Sequence, residues 1–179
     1  MTDTTVTPVG QAEKPIDPRV DIGHVHLKTA DIQRVRDFYV GILGFDVVAE
    51  MGDQALFLSA GGYHHHLGFN TWESKGGSAP PPGTTGLYHV AIRYPTREAL
   101  ADALGRLVRA DWPLDGANDH GTHEALYLRD PDGNGLELAW DRDPSEWPVD
   151  ADSHLRFDRG ADVNRMLREL LELSGVRRE

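Results

Sequence analysis

Residues 55–58 read Ala55-Leu56-Phe57-Leu58, and residues 125–128 read Ala125-Leu126-Tyr127-Leu128, seventy positions on. Upstream of these stand two further matching pairs, His24-Val25 and His89-Val90. Seven residues after each His comes a helix-opening residue, Asp31 in the first copy and Thr96 in the second. The chain therefore repeats one module. In the first copy residues 22–28 have strand character, Ile32, Val35, Phe38, Tyr39 and Ile42 share a helical face, and Gly44 ends that helix. Strand signals follow at 45–50, 55–58 and 63–69, separated by Gly52-Asp53 and Gly61-Gly62. The order is β-α-β-β-β. In the second copy a strand at 87–93 precedes a helix whose apolar stripe is Leu100, Ala103, Leu104 and Leu107. Strand signals follow around 112–114, 124–129 and 135–140, the last after the turn Asp130-Pro131-Asp132-Gly133.

The predicted fold class is α+β, with paired βαβββ modules at about 20–75 and 86–142 in one domain spanning 20–150. Residues 76–86, with Pro80-Pro81-Pro82 and four glycines, read as a linker. Residues 1–19 read as a flexible leader. Residues 151–179 form an extension ending in an amphipathic helix, with Val163, Met166, Leu167, Leu170 and Leu171 on one face. That face is expected to pack on the domain or on a second copy, so a homodimer or higher homo-oligomer is expected.

Composition narrows the chemistry. There are 179 residues and no Cys, so a metal would be held by His and carboxylates. Eighteen basic against 29 acidic residues give a net charge of −11, which argues against nucleic acid and anionic membranes as partners. No apolar run approaches the roughly 20 residues of a membrane span, and residues 1–14 lack signal-peptide character. The expected location is cytoplasmic.

The differences between the copies point to a metal. His24 is repeated as His89, whereas His26 is answered by Ala91. Continuing the seventy-residue offset without a gap sets Glu137 against Leu67 and Gly135 against His65. Glu137 lies between Leu136 and Leu138, where an unpaired carboxylate would be costly. His24, His89 and Glu137 then make two His and one carboxylate, the ligand count of a facial non-haem Fe(II) site with adjacent positions open. The plainer alternative is that His24 and His89 only satisfy hydrogen bonds. On the same reading His123 and His154 are surface residues, and His64-His65-His66 is a solvent-exposed or adventitious metal-binding cluster if not part of the site.

The stretches Ile22-Gly23-His24-Val25, Asp31 to Phe45 (DIQRVRDFYVGILGF) and Asp130 to Leu138 (DPDGNGLEL) resemble the vicinal oxygen chelate superfamily of glyoxalases, bleomycin-resistance proteins and extradiol dioxygenases. Gly61 to Ser74 and Asp119 to Tyr127 resemble its bacterial catechol 2,3-dioxygenase branch. The resemblance, over about residues 20–150, implies modules forming a cup around Fe(II), with Mn(II), Zn(II) or Ni(II) as lesser candidates. It implies His24, His89 and Glu137 as metal ligands. It also implies His65 as acid/base, His120 as a hydrogen-bonding partner of oxygen or substrate, and Tyr127 as a contact of the substrate hydroxyl. A catechol-type diol and O2 would be the substrates. The familiar extradiol enzymes carry two paired-module domains, and this chain resembles their catalytic half. The alternatives are a glyoxalase-like isomerase or epimerase, and a bleomycin-resistance-like binding protein without catalysis.

Overall fold

In the computed structural model, residues 14–157 and 162–176 are described; most of the expected leader, residues 1–13, lies outside them. The first module runs β1 (Val25–Lys28), α1 (Ile32–Arg36), a π-helical segment (Asp37–Ile42), β2 (Asp46–Glu50), β3 (Ala55–Ser59) and β4 (Leu67–Asn70). The second runs β5 (Val90–Arg93), α2 (Arg97–Arg109), β6 (Leu114–Asp119), β7 (His123–Arg129) and β8 (Gly135–Asp141). A short 3-10 turn (Pro144–Glu146) and α3 (Val163–Leu173) follow. Each module forms a four-stranded sheet, in the orders β1-β4-β3-β2 and β5-β8-β7-β6. The first and last strands pair in parallel and the remaining neighbours are antiparallel. The protein is thus α+β, built of paired βαβββ modules with a C-terminal helix.

The helix starts follow the sequence. The Asp31 carboxylate accepts from the backbone N–H groups of Gln33 and Arg34, and the Thr96 hydroxyl accepts from Ala99 N–H. Each cap satisfies amides that the first turn leaves unpaired, a contribution of about 1 kcal/mol. The first helix does not stay α-helical. After Arg36 it widens, with Leu43 N–H reaching the carbonyl of Phe38, and it buries the consecutive rings of Phe38 and Tyr39. Gly44 follows at φ +85°, in the left-handed region that glycine enters without steric cost.

One hydrophobic cluster joins both modules. It holds Leu56, Leu58, Leu67 and Phe69 of the first sheet, Leu126, Leu128, Leu136 and Leu138 of the second, and Phe38, Tyr39, Leu100, Leu104 and Leu107 of the helical segments. Each large side chain buried there contributes about 1.5–3 kcal/mol. Met166 and Leu170 of α3 belong to the same cluster, so the terminal helix packs on its own domain. Between modules, the Tyr39 hydroxyl donates to the buried Asp130 carboxylate at 3.1 Å, and Thr29 bonds Asp132. Because side chains alternate on a strand, the residues between these leucines, among them Phe57, Tyr127 and Glu137, face away from the core.

The strand register corrects the ungapped alignment of the copies. Val25 stands opposite Leu67, and Val90 opposite Leu136. Leu58 stands opposite Leu67, and Leu128 opposite Leu136. Leu67 therefore matches Leu136, and Glu137 matches Gly68 rather than Leu67. Gly135 matches His66 rather than His65. The turn joining β3 to β4 is one residue longer than that joining β7 to β8, which shifts the offset from seventy to sixty-nine after the turn. His65 precedes β4, so strand alternation does not assign its side chain to the face that Glu137 occupies.

Candidate active site

Glu137 is the centre of the site. It sits on β8, is 6% exposed, and faces away from the core. His89, the residue before β5, brings its Nε2 to 2.8 Å from Oε2. His123, at the start of β7, brings its Nε2 to 3.0 Å from Oε1. The Tyr127 hydroxyl donates to the same Oε1 at 3.2 Å. With its O–H directed at Glu137, that hydroxyl accepts from His120 Nε2 at 2.8 Å. The order His120 to Tyr127 to Glu137 is a continuous relay of hydrogen bonds ending on a carboxylate.

The pairings set the charge states. Burial pushes the Glu137 carboxyl up, but the His123 hydrogen bond and the His123 and His89 imidazoles hold it below the ordinary carboxylate range. Burial first, and then the adjacent Glu137 charge, pushes the Tyr127 phenol well above its ordinary value. Tyr127 is thus a neutral donor at any physiological pH.

In the first module the corresponding face is more open. His24 and His26 are exposed. The His24 ring lies 4.3 Å from that of His65 and 6.3 Å from that of His64, between centroids. His65 also packs edge-on to Phe57. Partial desolvation, then the neighbouring His24 and His64, lower its pKa, so its imidazole is neutral near pH 7. His26 lies over Gly68, where a Cβ would come within 3.0 Å of Nδ1, and its Nε2 bonds the Asn70 amide at 2.9 Å. His66 turns away to Ser59 and the Ala60 amide.

Of the six expected site residues, the structure brings His89, Glu137, Tyr127 and His120 together. His24 and His65 meet each other on the first module's face. His24, His89 and Glu137 do not form a set of ligand atoms within 4.8 Å of one another; among the described residues His120, His123 and Glu137 do. His123, expected to be a surface residue, is therefore part of the site. Its signal was present in the sequence: it lies four residues before Tyr127 on the same strand, and even spacing puts the two on one face. His154 is exposed, as expected.

The donor set is nitrogen and carboxylate oxygen, with no thiolate, and it fits a divalent metal of hard or borderline character. Tyr88, His89, Asn118, His120 and Tyr127 border an open cleft of about 600 Å³, enough for a small aromatic ligand. Another hollow of about 500 Å³, between Phe38 and Trp112, has no His among its lining residues and does not touch this cluster.

Residues 21–138 match the profile of the Glyoxalase/Bleomycin resistance protein/Dioxygenase superfamily. The chain belongs to this superfamily. The catechol-2,3-dioxygenase of Bacillus subtilis (strain 168) is 34% identical over 139 residues, 73% of this chain and 47% of that protein. The biphenyl-2,3-diol 1,2-dioxygenase 3 of Rhodococcus globerulus is 33% identical over 128 residues, 70% of this chain and 65% of that protein. The chain thus spans between about half and two thirds of these relatives. Among solved structures, a lactoylglutathione lyase from Agrobacterium tumefaciens superposes with a TM-score of 0.55 at 22% identity, over 69% of this chain and 96% of that one. The last likeness is one of fold. No helix among the described residues is long and apolar enough to cross a membrane.

Proposed function

We propose that this superfamily member is an Fe(II)-dependent extradiol dioxygenase, acting on a catechol-type diol with O2. The observation that carries the reading is the buried Glu137 carboxylate, bonded by His89 and bordered by the Tyr127–His120 pair at an open cleft. The dioxygenase names of two relatives at 33 and 34% identity support it. The net charge of −11 suits a small-molecule substrate rather than nucleic acid.

In this reading His89 and Glu137 hold the metal, with His24 as the third protein ligand. When bound, iron would supply Lewis acidity toward the diol and an electronic path from the ring to O2. The chain's own groups do the rest. Tyr127 stays protonated and, once Glu137 is engaged by a metal, turns its O–H from that carboxylate to a substrate oxygen. His120 fixes the Tyr127 hydroxyl in place. His65, a neutral imidazole, takes a proton from the diol and returns it to the product. The exposed His24 face, with Tyr63 at 41% and Trp72 at 61% exposure, suits closure by a second copy that would set its own His89 and Glu137 against this His24.

A second ligand set has a specific observation in its favour. His120, His123 and Glu137 offer three ligand atoms within 4.8 Å inside one module. Alanine substitution separates the sets: loss of metal on His24→Ala supports the first, and loss only on His123→Ala supports the second.

The isomerase alternative wants a fourth ligand. Gly68, at the position matching Glu137, supplies none. Metal analysis after anaerobic purification tests the assignment. Iron supports the dioxygenase. Zinc or nickel with isomerase turnover replaces it, and ligand binding without any metal makes the protein a binding module.

A further inference from the structure

The loop 120–122, which separates β6 from β7 and carries His120, is held from behind by charge. Arg142, just beyond β8, makes a two-pronged ion pair with Asp119, its two terminal nitrogens at 2.7 and 2.8 Å from the two carboxylate oxygens. The same guanidinium reaches Glu124 at 3.2 Å and the Gly121 carbonyl at 3.4 Å. The Arg142 backbone N–H donates to the Thr122 carbonyl at 3.0 Å, and its carbonyl accepts from the Trp147 indole. One arginine therefore binds four residues between 119 and 124, the span that contains both His120 and His123.

The arginine is itself held in place. Glu124 is 4% exposed and lies on the core side of β7, opposite Trp140. One of its oxygens takes Arg142, and the other takes Arg97 of α2 at 2.8 Å. Arg97 also reaches Glu169 of α3 at 2.8 Å. Asp119, Arg142, Glu124, Arg97 and Glu169 thus alternate in sign from the site loop to the terminal helix. A buried carboxylate between two guanidiniums is tolerated only because both partners are present. The fork of an arginine fixes orientation as well as charge, which a lysine would not. Gly121, at φ +80° and with Pro148 Cγ 2.9 Å from where a Cβ would stand, leaves the loop little other freedom.

We propose that Arg142 is a positioning residue for the site: it sets the 119–124 loop so that His120 meets Tyr127 and His123 meets Glu137, and α3 supports it through Glu169, Arg97 and Glu124. The consequence for metal and substrate rests on the function proposed above. The positioning itself does not, because it concerns contacts present without metal.

The test uses the full chain, 15N-labelled and metal-free. Imidazole ring signals are read by long-range proton–nitrogen NMR and assigned with single His→Gln variants. In Arg142→Gln the His120 and His123 signals should move while those of His26, in the other module, stay. Arg142→Lys should recover part of the change, and Glu169→Gln should give a smaller shift in the same direction. Co(II) affinity of the folded Arg142→Gln protein should fall about 10- to 100-fold, as expected when a supporting partner of a ligand is lost. Unmoved His120 and His123 signals in a folded Arg142→Gln protein overturn the proposal. If that variant does not fold, unmoved signals in both Arg142→Lys and Asp119→Asn overturn it. Failure of the unaltered protein to bind Co(II) would count against the metal site, while the ring signals would still decide the positioning.

Discussion

Gly68 of the first sheet occupies the register position that Glu137 occupies in the second. Opposite Gly68 stands His26, and opposite Glu137 stands Ala91. Each parallel strand pair thus carries one large functional side chain and one residue small enough to leave it room. The His26 ring fills the space above Gly68, so a carboxylate there would compete with it. Gly68 thus offers no carboxylate at the position that matches Glu137.

Gly68→Ala should displace His26. The new Cβ would lie 3.0 Å from Nδ1, so the ring must move and its 2.9 Å bond to Asn70 must lengthen or break. The expected cost is about 1–2 kcal/mol in urea denaturation. Co(II) affinity, set in this account from Glu137, should change less than threefold.

Glu137→Gln should lower Co(II) affinity at least 100-fold by calorimetry, because a neutral amide replaces the one anionic ligand. The same variant tests the acid behaviour of the metal-free protein. Burial raises the Glu137 carboxyl, but His123 and His89 bring it below its ordinary value. Its favourable contribution is present above the unfolded value, about 4.3, and is lost as pH falls through the lower folded value. The Gln variant should therefore lose less stability than the unaltered protein between pH 5 and 3, measured by denaturant unfolding.

Tyr39→Phe should loosen the junction of the modules. Tyr39 donates to Asp130, which also accepts from the Asp132 and Asn134 amides and so holds the turn before β8. Losing one of several bonds to a buried carboxylate should cost about 1–3 kcal/mol. Equilibrium unfolding measures it, and a neutral result would remove Tyr39 from the account of how the modules are joined.

Alkaline stability should depend on Tyr94. Burial, opposed by Arg106, raises its phenol to about 12. The buried neutral form favours folding below the unfolded value of about 10, and that contribution disappears as pH rises through about 12. Unfolding curves of the unaltered protein should therefore decline between pH 10 and 12, and those of Tyr94→Phe should decline less.

Much of the architecture was legible because it rests on local chemistry. Asp31 and Thr96 cap the helices, and Leu100, Ala103, Leu104 and Leu107 form the buried stripe, as their spacing requires. That Glu137 needs partners was legible, since a carboxylate between two leucines needs a cation or donors; His89, His123 and Tyr127 supply donors here. The register of the last strands was not. One extra residue in a turn of the first module moves every later match by one, and an ungapped comparison has no term for turn length. His123 was missed for a related reason. It was weighed as an isolated His, while its spacing from Tyr127 placed it on the Glu137 face. The position of His24 depends on how modules face each other, a property of packing that no local pattern encodes.

Oxygen-dependent ring opening at the Glu137 site is the activity proposed for this chain. The most direct measurement is oxygen consumption by anaerobically Fe(II)-loaded protein across a panel of catechols, with 18O2 followed into the product. The expected result is one O2 consumed per diol, both labelled atoms in a ring-opened product, and loss of this activity in Glu137→Gln. Intact iron binding with no oxygen consumption across the panel would contradict it.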